Sequence, residues 1–171
     1  MMKLLTIGYE GLTVQTFLDL LLKNKVRTLV DVRELPLSRK PGFSKSALSQ
    51  NVAAYDLNYI HLAALGCPRE IRHAYRADAD WARYTRRFWA YLRTQDEAIA
   101  RLGARSLTET CCLMCYEADY KYCHRSYVAA QVASVVGHRL EIVHLHTTSP
   151  SQVVAPSATR AAARADKPIR R

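Results

Sequence analysis

Five apolar runs of five to seven residues punctuate the chain, and between them apolar positions recur at helical spacing. The runs are Lys3–Gly8, Arg27–Val32, Asn58–Leu62, Cys111–Tyr116 and Arg139–Leu145, and each reads as a buried strand. Thr13 is placed to cap a helix through Asn24 that turns Phe17, Leu18, Leu21 and Leu22 inward. A loop rich in turn residues, Arg33 to Lys45 with Pro36, Pro41 and Gly42, leads to a short helix capped by Ser44 and running to about Ala54. Pro68 to Tyr75 reads as a helical turn, and Asp80 to about Arg101 as one long helix with Trp81, Tyr84, Phe88, Tyr91 and Leu92 on one face. Tyr122 to Val136 is the last helix, its Val128, Val132, Val135 and Val136 at helical spacing.

Strands alternating with helices predict an α/β fold of three layers, Rossmann-like: a mostly parallel five-stranded sheet with helices on both faces, joined by right-handed crossovers. The pattern stops at Thr147, where Ser, Pro, Ala and Arg take over. The expected organisation is a single α/β domain over 1–146 and a flexible basic tail over 147–171, with a short docking helix from Ala158 to Ala165 as the alternative for the tail.

Composition narrows the class. A chain of 171 residues buries a full core in one domain, and its apolar share of 49% is ordinary. No run approaches a membrane span, and the first residues break into Gly8-Tyr9-Glu10 too soon for a signal peptide, so a cytoplasmic protein with no membrane partner is expected. Five cysteines, three of them between Cys111 and Cys115, do not form a secreted disulfide framework. The net charge is +10, of which five cations against Asp166 in the tail supply +4. Such a balance favours an anionic small molecule or nucleic acid as partner, and a homodimer is the default assembly.

The reactive residues gather at strand ends, where an open parallel sheet places its ligand. Gly8, Tyr9 and Glu10 end the first strand, Asp31 and Arg33 the second, followed by Ser38 and Arg39 in its loop; His61 lies near the end of the third, and Cys115 and Glu117 end the fourth. Cys123, His124 and Arg125 open the last helix, whose free N–H groups and positive dipole end favour an anion. Arg33, Arg39 and Arg125 suit bidentate contacts to phosphate or carboxylate. Cys123, at a helix start beside His124 and Arg125, and Cys115 are the thiol candidates, with Glu117 or Asp31 as acid or base. Gly8, Tyr9, Ser38, His61 and His124 complete the candidate substrate-binding set. Cys67, Cys111 and Cys112 read as small buried apolar residues, and His73, His138, His144 and His146 as structural or surface groups.

Two known thiol signatures do not fit the chain. A phosphatase loop needs Cys, five residues and Arg, but the sixth residue after Cys115 is Lys121 and after Cys123 is Ala129. Asp31-Val-Arg-Glu34 suggests a rhodanese strand, yet no Gly-rich cysteine loop with its arginine follows. No cofactor is expected. A closed zinc site is not expected either, because Cys112 and Cys115 fall on opposite strand faces and Cys123 and His124 diverge on a helix. A looser site drawn from Cys115, Glu117, Cys123 and His124 stays open.

Thr6–Glu10, Asp31-Val-Arg33 with Pro36, Ser38, Arg39 and Phe43, Leu65-Gly66, Cys115-x-Glu117 and Cys123-His-Arg125 together resemble the domain-of-unknown-function family DUF488, over about Lys3 to Leu145. The resemblance implies an α/β domain of Rossmann-like layering without an assigned reaction. It also implies that Asp31, Arg33, Ser38, Arg39, Cys115, Glu117, Cys123, His124 and Arg125 hold the family's motif positions. Three functional classes follow: an enzyme on a phosphate-bearing or otherwise anionic substrate, a non-catalytic module binding nucleic acid or nucleotide, and a redox-responsive protein with a Cys115–Cys123 disulfide.

Overall fold

The structure, a computed structural model, describes residues 1–137 and 139–146, so the expected basic tail and His138 lie outside it. Five strands form one sheet in the order β3-β2-β4-β1-β5, every pair parallel: β1 (Met2–Gly8), β2 (Thr28–Asp31), β3 (Asn58–His61), β4 (Cys111–Cys115) and β5 (Leu140–Leu145). All five residues of the central β4 are buried, as a strand covered on both faces requires. The three-layer α/β expectation holds, with a sheet that is wholly parallel.

Among the described residues six helices cover the sheet: α1 (Val14–Lys23), α2 (Lys45–Ala53), α3 (Arg69–Asp78), α4 (Trp81–Leu92), α5 (Asp96–Ser106) and α6 (His124–Val135). The Thr13 hydroxyl accepts from the Thr16 amide and starts α1, and the Asp80 carboxylate does the same for α4 through the Arg83 amide. The single helix expected over 80–101 is two helices. The amides of Thr94 and Gln95 return to the carbonyls of Tyr91 and Leu92, three residues back, and the Thr94 hydroxyl also donates to Tyr91. Those tight turns break the four-residue ladder, and Asp96 and Glu97 open a new first turn where the dipole favours acids. The turn expected over 68–75 extends into the ten-residue α3, which ends at Ala79 with φ of 53°.

The pleat sorts β4 between two cores. Cys111, Leu113 and Cys115 join Leu4, Val30 and Val32 under α4, α5 and α6, where Phe88, Leu92, Ile99, Leu102, Val128 and Val132 pack. Cys112 and Met114 join Leu5, Ile7 and Leu29 on the other face, against Phe17, Leu18 and Leu21 of α1 and Leu48 and Val52 of α2. The chain therefore leaves β1 and β2 toward one face and leaves β4, which lies between them, toward the other. A crevice opens at the carboxyl end of β4 for that reason. No helix among the described residues is long and apolar enough to cross a membrane.

Phe88 is fully buried and meets the ring of His124 edge-on at 5.4 Å. Truncation to alanine leaves a cavity beneath that imidazole, and we predict a loss of about 3–5 kcal/mol with an unchanged urea m-value. Urea unfolding followed by circular dichroism checks it; a loss under about 1 kcal/mol contradicts this packing role.

Candidate functional site

The site begins with a missing side chain. Gly8 pairs with Cys115 in register, and a Cβ built on Gly8 would stand 1.8 Å from the carbonyl oxygen of Glu117. The glycine lets the loop after β4 cross directly over the end of β1. The Tyr9 and Glu10 amides continue the ladder by donating to the Cys115 and Tyr116 carbonyls at 3.2 and 2.8 Å. The Glu10 carboxylate accepts from the Ala118 amide at 3.0 Å.

Arg125, only 1% exposed, ties the same loop from below. Its fork donates to the Glu117 carbonyl at 2.5 Å and the Ala118 carbonyl at 3.1 Å, and its Nε reaches the Thr6 hydroxyl at 3.4 Å. The loop then makes one 3-10 turn, Tyr120–Tyr122, whose cap Asp119 accepts from the Lys121 amide at 3.0 Å.

Cys123 is where the structure departs from the sequence expectation. It is the N-cap of α6, with extended dihedrals of −134° and 137°, and not a residue of the helix itself. An extended cap turns its side chain back toward the sheet, so Cys123 and His124 converge instead of diverging. The Cys115 and Cys123 sulfurs and the His124 ring nitrogen lie within 4.8 Å of one another. Cys115 Sγ is 3.8 Å from His124 Nδ1. Glu117 Oε2 is 3.2 Å from the Cys115 sulfur and 3.1 Å from that of Cys123. Cys112 faces the opposite core, as its spacing from Cys115 implies.

His124 Nε2 donates to the Val32 carbonyl at 2.8 Å, which leaves Nδ1 turned to the thiols. Burial, reinforced by Cys123, pushes the Glu117 carboxyl up to about 8. The hydrogen bond with Cys123, then burial, holds the Cys115 thiol well above its ordinary value. Burial opposes ionisation of Cys123, but the Cys115 hydrogen bond, the Arg125 charge and His124 outweigh it and hold that thiol well below its usual range. Burial works equally against a charged His124, and its contact with Cys123 raises it nonetheless. Of the two thiols, Cys123 is the one whose surroundings favour the thiolate.

Asp31 and Arg33 form a second buried unit beside the first. Arg33 donates to Asp31 through Nε at 2.9 Å and NH2 at 2.6 Å, and NH1 reaches the Phe43 carbonyl at 2.9 Å and the Tyr9 hydroxyl at 3.1 Å. The Tyr59 hydroxyl donates at 2.7 Å to Asp31 Oδ2, the oxygen that also accepts from Arg33 NH2, and the Tyr9 ring stacks on Phe43 at 4.4 Å. His61 Nε2 bonds the Arg33 carbonyl at 2.8 Å. The Ser38 hydroxyl accepts from the Lys40 amide at 3.1 Å, and Arg39 is exposed.

A cleft of about 50 Å³, room for a few waters or one small head group, brings Tyr9, Arg33, Cys115, Glu117 and His124 together. Gly8, Asp31, Cys123 and Arg125 stand behind that lining, and Ser38, Arg39 and His61 are not among its residues. Arg33 and Arg125, read from sequence as anion ligands, have their forks engaged by the protein. Sequence reasoning missed the opposite wall, Cys67, Arg72 and Tyr84 with Glu34. Arg72 pairs with Glu34, another lining residue, at 2.6 Å. Nothing in the spacing of α3 signals that reach. Cys67 is inert there, its thiol pushed up by burial to about 12.

The family model described as a domain of unknown function, DUF488, matches residues 13–132, so the chain belongs to that family. The matched span includes the whole run from Cys115 to Arg125. No curated protein and no solved structure matches.

The Asp31–Arg33 pair is 0% and 6% exposed, so removing one partner strands a buried charge. Asp31→Ala is predicted to cost about 3–5 kcal/mol in urea unfolding, whereas Arg39→Ala on the surface stays within about 0.5 kcal/mol. Equal effects from the two variants contradict the assignment.

Proposed function

We propose that this member of the DUF488 family is an enzyme acting on a small anionic substrate, a phosphate or carboxylate head group, in the cleft at the end of β4. The observation that carries the reading is the convergence of two thiols, an imidazole and a carboxyl within hydrogen-bonding reach at a cleft floor. Groups of these types, brought together from a strand end, a loop and a helix start, form a reacting centre more readily than a packing motif. Cys115, Cys123 and His124 make that centre. Glu117, between the sulfurs and the cleft, is positioned to carry a proton. Arg72 supplies positive charge on the facing wall, exchanging Glu34 for the substrate anion. Arg33, Asp31 and Arg125 hold the walls in place.

Thermal melts against inorganic phosphate, sugar phosphates, nucleoside monophosphates and short carboxylates test the substrate class. A ligand at one hundred times its Kd adds about 2.7 kcal/mol, several degrees for a chain of this size. The shift is expected to vanish in Arg72→Ala. A shift that survives that substitution moves the anion out of the cleft and contradicts the reading.

A second reading, a nucleic-acid-binding surface, draws on another face. Exposed Arg86, Arg87 and Arg93 of α4 and its C-cap interleave with half-buried Trp81 and Trp89, a pattern suited to phosphate contacts with base stacking. It predicts binding of single-stranded nucleic acid that weakens steeply with salt, with a salt slope reduced by about 2 in the double variant Arg86→Ala, Arg87→Ala. An unchanged slope in fluorescence anisotropy titrations contradicts it.

A further inference from the structure

Two features of the cluster exceed what a set of packed polar side chains requires. The first is donor type and spacing. Two sulfurs and an imidazole nitrogen lie within 4.8 Å of one another, with Cys115 Sγ and His124 Nδ1 at 3.8 Å. Ligands about 2.3 Å (sulfur) and 2.0 Å (nitrogen) from one tetrahedral ion stand roughly 3.5–3.8 Å apart, so the Cys115–His124 pair is close to coordination spacing and every pair lies within about 1 Å of it. The second is orientation. The hydrogen bond from His124 Nε2 to the Val32 carbonyl is the outer contact that aims a ligating imidazole and selects its free nitrogen.

We propose that Cys115, Cys123 and His124 hold a divalent thiophilic metal ion, zinc in preference to harder cations, with Glu117 beside a fourth position that faces the cleft. The inference deepens the reading of this cluster as the reacting centre and rests on it. Two thiolates and one imidazole select a borderline-soft ion and disfavour magnesium or calcium. Three protein ligands with one position open is the arrangement of a catalytic site, not of a closed structural one. Binding forms two metal–sulfur bonds and one metal–nitrogen bond. Any proton still on a thiol passes to solvent, and no oxidant or reductant takes part. In that position an ion polarises a bound water or a substrate oxygen at the cleft floor, next to the Glu117 carboxyl.

The test uses the full chain, reduced and stripped with a chelator, titrated with Co²⁺. The expected result is one equivalent bound, with thiolate-to-cobalt charge-transfer absorption and the intense visible bands of a tetrahedral site, both bleached by Zn²⁺. Cys123→Ser and His124→Ala are each expected to weaken binding at least tenfold, while Cys112→Ala, on the opposite face of β4, leaves it unchanged. A readout on the unaltered chain guards against variants that do not fold: Zn²⁺ is expected to slow alkylation of Cys115 and Cys123 at least tenfold, read by peptide mass spectrometry. No charge-transfer band, a band that persists without either thiol, or alkylation indifferent to zinc overturns the proposal. A chain without the band that still binds phosphate through Arg72 loses the metal and keeps the enzyme reading, and the converse result separates them the other way.

Discussion

A buried guanidinium holds this fold's reactive corner in shape. Arg125 enters at the start of α6, runs under the loop that follows β4, and hydrogen-bonds the Glu117 and Ala118 carbonyls. With Gly8 leaving the space that the Glu117 carbonyl fills, the loop has one available path, across the end of β1 and back to the sheet. That path sets the extended cap at Cys123, and the cap sets where its sulfur points. A charge so far from water is costly unless every donor is met. Here it is met by backbone carbonyls that only this loop conformation presents. The same residue that a sequence reading sends to a ligand thus serves by shaping the place where a ligand binds.

The Asp31–Arg33 unit does the corresponding task on the other side of β4. Asp31 ends β2, and its carboxylate holds the Arg33 fork, which in turn reaches the Phe43 carbonyl and the Tyr9 hydroxyl. A strand end, the long loop after it and the residue following β1 are joined through one side chain. The Val32 carbonyl next in sequence accepts from His124. Both buried arginines therefore position the cluster through the backbone, and Arg72 is a cleft-lining cation that bonds Glu34 and the Cys67 carbonyl.

Much of this was legible in the sequence. The cap at Thr13, the five strands and the opposite faces of Cys112 and Cys115 follow from local chemistry and from a period of two or 3.6 residues. Strand ends gather on one edge of any parallel sheet, so Gly8, Asp31, His61 and Cys115 were placed near one another before any strand order was known. The order itself, with β4 between β1 and β2, is a long-range choice that no local pattern records. The divergence expected for Cys123 and His124 failed because a helix cap takes a strand-like backbone, and a boundary that falls at His124 instead of Tyr122 rotates a side chain across the site. The break after Leu92 depended on a threonine bonding back to Tyr91, which competes with the helix only weakly in isolation. Arg72 stayed hidden because its importance comes from α3 packing opposite Glu34, a contact 38 residues apart in the chain.

The central claim is that two thiols and one imidazole act together as a metal-binding unit at the end of β4. X-ray absorption at the zinc edge of the loaded chain tests it most directly. The account predicts a first coordination sphere of two sulfurs at about 2.3 Å and lighter nitrogen or oxygen ligands at about 2.0–2.1 Å. A sphere of nitrogen and oxygen alone contradicts it.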